Sequence, residues 1–163
     1  MQTTLTTVRD GDRVTAAGRL VRDEDGWFLA AHFLDAADPP TSRLRVEPAQ
    51  EPAAALVGAG VRAVGTWDGG AEAVTGADLR PEEVPRLVPG APAQPGCPQD
   101  DVAAAVRRFP DLGTATVAVG LRSVGDDRAV ALVDVVHPTE ALLRWLADLP
   151  EGGAEVRAWV TRG

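Results

Sequence analysis

Apolar and polar residues alternate with a period of two along much of the first eighty positions, as in strands that turn one face toward a core. Within residues 12–22, Val14, Ala16, Gly18 and Leu20 share one face, and Thr15, Ala17 and Arg19 share the other. The acidic turn Asp23-Glu24-Asp25-Gly26 leads into 27–34, a run that is apolar on both faces apart from His32, and its Asp-Gly pair suits a hairpin. Residues 43–47 predict a third strand with Leu44 and Val46 inward, and 51–57 predict one or two helical turns before Gly58 and Gly60. A second hairpin is expected from 61–67 and 71–79 across Asp68-Gly69-Gly70.

The period changes in the last sixty residues. Val102, Val106 and Phe109 form one stripe of a helix over 101–109, with Asp100 or Asp101 as N-cap and Pro110 ending it. A hairpin of 114–124 and 128–136 follows across Gly125-Asp126-Asp127. Pro138 then opens a helix reaching Leu149, with Leu142, Trp145, Leu146 and Leu149 on its buried face and Glu140 and Arg144 spaced as an exposed i,i+4 pair. A strand over 154–161 closes the order αββαβ, which suggests a small sheet covered on one face by helices.

Between the two patterns, residues 85–100 hold five prolines and two glycines, too many for a helix or a central strand. Three segments are therefore expected: a β domain at 1–84, a semi-extended linker at 85–100 and a small α+β domain at 101–163. The stretch 35–42, DAADPPTS, is a shorter break of loop length.

The first segment contains an internal echo. Val14-x-Ala16-x-Gly18 and Val61-x-Ala63-x-Gly65 both follow a glycine turn, and a glycine inside a strand often marks a bulge or a bend where a sheet curls. Three strands, a short helical connection and a two-strand hairpin, bent in the first and fourth strands, resemble the OB-fold, a five-stranded Greek-key barrel. The resemblance spans residues 10 to 82 and rests on pattern alone. The fold class expected is mainly β with an α+β second half: an OB-like five-stranded barrel followed by a small αββαβ module.

Composition sets the weight of individual residues. Isoleucine, lysine, asparagine and tyrosine are absent while Ala, Gly, Val, Arg, Asp and Pro abound, the mark of a GC-rich bacterial genome. Every basic side chain apart from two histidines is therefore an arginine, and no arginine can be read as chosen over lysine. The net charge is −8, with 9 arginines against 14 acids in residues 1–88 and 7 against 10 in 89–163. An acidic balance in both halves disfavours sequence-independent binding to long polyanions, because counterion release needs a cationic surface. No apolar run is long enough to cross a membrane and the start lacks the features of a signal peptide, so a cytoplasmic location is expected. Cys97, the single cysteine, cannot form an internal disulfide.

Catalytic raw material is thin. His32 and His137 lie in different halves, the serines are Ser42 and Ser123, and no motif brings them together, so no catalytic residue is assigned. Cys97, within Gly96-Cys97-Pro98, has no neighbouring cation to stabilise a thiolate. Neither His32/Asp35 nor Asp23–Asp25 matches a zinc or calcium site, and Gly58-Ala59-Gly60 lacks the third glycine of a nucleotide-binding turn, so neither metal nor cofactor is expected. The acidic run reads first as a solvated hairpin tip and second as a site for a basic peptide.

Strand parity offers a candidate surface. With Val14, Ala16, Leu44, Val46, Val61 and Ala63 inward, Arg19, Arg43, Arg45 and Arg62 point outward, and Phe28 and His32 join them if the second strand keeps the same sense. Arginines interleaved with an aromatic are what single-stranded nucleic acid requires, although outward strand positions must in any case be polar. Trp159 shares parity with Glu155, Arg157 and Thr161, which makes it an edge aromatic or an interface residue.

Three functions remain. The leading one is a non-enzymatic binding or adaptor protein acting through contacts with a protein partner or with a second copy of the chain. The runner-up is single-stranded nucleic acid binding through the arginine face. The third is an enzyme or accessory factor holding a small ligand between the halves.

Overall fold

The computed structural model describes residues 5–30, 43–82 and 95–163, and strands make up most of its regular structure, with few helices. The chain divides into two compact units, Val8–Val88 with Val160–Gly163, and Met1–Thr7 with Pro89–Trp159.

The strands of the first are β1 (Arg13–Asp23), β2 (Gly26–Ala30), β3 (Arg43–Pro48), β4 (Gly60–Asp68) and β5 (Ala73–Pro81), with a 3-10 turn at Ala54–Leu56 before β4. β1 pairs β2, β2 pairs β3 and β4 pairs β5, all antiparallel; β3 and β5 run parallel, and β4 pairs back on β1. This five-strand ring is uneven. The β1–β4 seam runs without interruption from Arg13 opposite Thr66 to Arg19 opposite Gly60, whereas β3–β5 shifts register between Val46 and Pro48.

The internal echo explains the long seam. Its two copies pair with each other antiparallel, so that Val14 lies opposite Gly65, Ala16 opposite Ala63 and Gly18 opposite Val61. All six are buried. A large residue therefore always meets a small one. The glycines are also required by close approach: a Cβ on Gly18 would stand 2.9 Å from the Ala30 carbonyl oxygen, and one on Gly65 would collide with that of Thr75, where β4–β5 shifts register. Leu20, Leu29, Leu44 and Val46 complete this interior at 0–2% exposure.

The second unit contains β6 (Cys97–Pro98), α1 (Gln99–Arg107), β7 (Thr116–Gly125), β8 (Arg128–Val135), α2 (Glu140–Ala147) and β9 (Ala154–Ala158). β8 is central, antiparallel to β7 on one side and flanked on the other by β6 and the parallel β9. Its odd positions Ala129, Ala131, Val133 and Val135 form a core with Val102 and Ala105 of α1 and Leu142 and Trp145 of α2. The Trp145 indole N–H donates to the Ala105 carbonyl at 2.9 Å, and its ring meets Phe109 edge-on at 4.9 Å. Thr139 caps α2 by accepting from the Leu142 N–H.

Two sequence expectations change here. Residues 97–98 form strand rather than linker, because the Cys97 side chain is 4% exposed within the core and Gln99 N–H, bonded to the Asp127 carbonyl, starts α1 two residues early. Residues 83–94 lie outside the described residues. The final strand is not continuous either: β9 ends at Ala158, the Trp159 N–H donates to the Val135 carbonyl, and β10 (Val160–Arg162) joins the first unit's sheet with Val160 opposite Ala16. The break cancels the shared parity of Trp159 and Thr161. Trp159 is buried, at 7% exposure.

Candidate functional site

Cross-strand register decides which outward residues meet. Arg19 of β1 stands opposite Ala30 of β2, which stands opposite Arg43 of β3; in the next rung Val21, Phe28 and Arg45 follow one another. Residues facing each other across antiparallel strands share a face, so Arg19, Arg43, Arg45 and Phe28 are gathered on one. Arg19, Arg43 and Arg45 are exposed and Phe28 is half-buried. The Arg43 guanidinium sits 5.7 Å from the centre of the Phe28 ring. His32 lies outside the described residues.

The electrostatics of this face are nearly balanced. Arg43 is bonded to Asp23 and Arg45 lies 3.9 Å from Glu47. Arg62 is on β4, opposite Ala17 and Arg80, and reaches both carboxylate oxygens of Glu82, at 2.9 and 3.0 Å. It lines a concavity of about 430 Å³ with Arg13, Asp78 and Arg80, and Arg80 in turn is 3.0 Å from Asp78. The arrangement can attract a ligand with both charge signs, but Arg43, Arg45, Arg62 and Arg80 already face carboxylates.

No family model, curated protein or solved structure matches this chain.

Sequence reasoning passed over a second concavity in the same unit. About 380 Å³ in volume, it is lined by Arg22, Gly26, Trp27, the end of β3 from Arg45 to Pro48, and residues 49–52. Its floor is the rung Arg22–Trp27–Val46, which continues the inward face one step past Leu20–Leu29–Leu44. At that step the interior meets water, and the inward positions carry an arginine and a half-buried indole. Arg22 stands 5.2 Å from the Trp27 ring centre and 3.9 Å from Glu51. The signal was present in the sequence: Arg22 has the parity of Val14, Ala16 and Leu20.

In the second unit, Asp134 is the buried charged residue among the described residues, at 3% exposure. It receives two bonds from Arg157 of β9, its register partner, at 2.6 and 2.9 Å. The arrangement is closed, since every acceptor oxygen of the carboxylate has a guanidinium donor. His137 is half-buried with Nδ1 3.4 Å from the Pro138 carbonyl oxygen, next to the α2 cap, and the Cys97 thiol donates to the Glu151 carbonyl at 3.5 Å. Among the described residues no three His, Cys, Asp or Glu side chains converge as a metal site, and no helix is long and apolar enough to cross a membrane.

Proposed function

We propose that the chain is a non-enzymatic binding or adaptor protein that acts through protein contacts in a bacterial cytoplasm, its first unit an OB-like five-stranded barrel. The strand order β1-β2-β3-β5-β4-β1, with β3 and β5 parallel and a register shift at Gly65 where β4 meets β5, supports the barrel reading. One observation carries the functional reading. On the outer surface of this unit Arg43, Arg45 and Arg62 each have a carboxylate partner, so the surface offers a mosaic of both signs. A protein partner can answer such a mosaic charge by charge. A polyanion would have to displace each carboxylate first.

The second reading, single-stranded nucleic acid binding, is favoured by the alignment of Arg19, Arg43 and Arg45 around Phe28, since bases stack on such aromatics. Fluorescence anisotropy with labelled oligodeoxythymidine separates the two. The adaptor reading expects no micromolar binding at physiological salt. Micromolar binding with a slope of roughly −0.7 per phosphate in log affinity against log salt, abolished by Arg43→Glu/Arg45→Glu in a folded protein, would replace it with the second.

A further inference from the structure

We infer that the Trp27 concavity is a docking site for an arginine side chain of the protein partner, and that Arg22, which lines it, covers the indole face until the partner arrives. The inference rests on the adaptor reading and names the chemistry its partner must present. The chain itself supplies the template: a guanidinium 5.2 Å above the indole with the Glu51 carboxylate 3.9 Å away. A planar cation stacks well on an indole face. Yet this internal occupant is weakly held. Arg22 and Glu51 side chains are 61% and 82% exposed, and a solvent-exposed pair at that separation contributes little.

The walls are better fixed than the occupant. Pro48 and Pro52 restrict the segment between them, and the Ala49 N–H is bonded to the Ala77 carbonyl at 2.9 Å. Trp27 is held by its rung between Arg22 and Val46, the latter 1% exposed. A partner's arginine thus meets a preformed aromatic surface and displaces only an exposed side chain, which keeps the ordering cost low.

Charge favours a cationic visitor. Glu47 and Glu51 line the concavity, and Glu24 and Asp25 are exposed at the β1–β2 turn that runs into Gly26 and Trp27. Arg22 and Arg45 offset them. Once Arg22 swings away, the local balance becomes acidic on a chain whose net charge is already −8.

The test is titration of the ¹⁵N-labelled chain with acetyl-Gly-Arg-Gly-amide and its lysine and glutamate counterparts, following the Trp27 indole signal, assigned by Trp27→Phe, and the backbone amides of Gly26, Val46 and Gln50. The arginine peptide should shift these signals more strongly than the lysine one, and the glutamate peptide should not. Arg22→Ala should tighten arginine-peptide binding about threefold by removing the competitor, and Glu51→Gln should weaken it by a similar factor. Both positions are exposed, and a dispersed spectrum verifies folding of each variant. No shift at millimolar peptide in either the parent or Arg22→Ala, weaker binding in Arg22→Ala, or equal response to lysine overturns the inference. Oligodeoxythymidine added to the same sample separates the two failures: shifts at Phe28, Arg43 and Arg45 would sink the adaptor reading itself, whereas silence there with no peptide response sinks this site alone.

Discussion

Arg43 of β3 reaches past β2 to Asp23 of β1 in the first unit, and Arg157 holds Asp134 on the adjacent strand in the second, but only the second aspartate is held away from water. The Arg43 and Asp23 side chains are 52% and 29% exposed, whereas Arg157 and Asp134 are 26% and 4% exposed. Water can solvate either member of the first pair when the other leaves. Asp134 has no such alternative, because its carboxylate is enclosed in β8 and both oxygens rely on the Arg157 fork. The difference separates charge that is available to a partner from charge that holds a sheet in register. The Arg22–Glu51 pair belongs with the first kind.

The largest effect expected from this contrast is at Arg157. Arg157→Ala leaves a buried carboxylate unpaired and should cost about 3 kcal/mol in denaturant unfolding followed by circular dichroism. Replacing both members, Asp134→Leu with Arg157→Met, should recover most of that loss, because an apolar pair needs no compensation. A loss below about 1 kcal/mol for Arg157→Ala would break the comparison, since Asp134 would then behave as a surface acid.

The glycines of the two sheets give the next contrast. Gly65 is crowded by the Thr75 carbonyl and Val74, whereas a Cβ on Gly120 of β7 meets nothing within 4 Å. Gly65→Ala should therefore destabilise by about 1–3 kcal/mol through overpacking, while Gly120→Ala should be neutral or slightly stabilising through reduced chain entropy. Thermal unfolding of the two variants side by side checks this. Equal effects would mean that the paired echo of β1 and β4 tolerates a methyl group in its tight seam.

How much of this could be read in the chain depended on whether one face of an element was polar. In β1, β3 and β4 it is, and alternation alone placed Val14, Ala16, Leu44, Val46, Val61 and Ala63 inside, where they are 0–2% exposed. In β8 both faces are apolar, so parity could not single out Asp134, although a lone acid in the run Ala129–Val135 was itself a warning. Cys97 was misread because the prolines around it dominate the local signal, and the two-residue pairing with Arg128 and Ala129 has no sequence pattern. The pairing of the two echoes was also hidden: repetition of V-x-A-x-G was visible, but only the antiparallel register turns it into Val against Gly.

The smallest effect tests the other side of the opening contrast. Arg43→Ala removes an ion pair with Asp23 and a stacking contact with Phe28, both at the surface. Each is worth roughly 0.5 kcal/mol when exposed, and neither partner is left buried without water. A double-mutant cycle of Arg43→Ala with Asp23→Asn should give a coupling energy below about 1 kcal/mol that shrinks further on raising salt from low to molar concentration. If the coupling instead exceeds about 2 kcal/mol and resists salt, Arg43 is a fixed structural cation like Arg157, and the outer face of β1, β2 and β3 would have little charge to offer a partner.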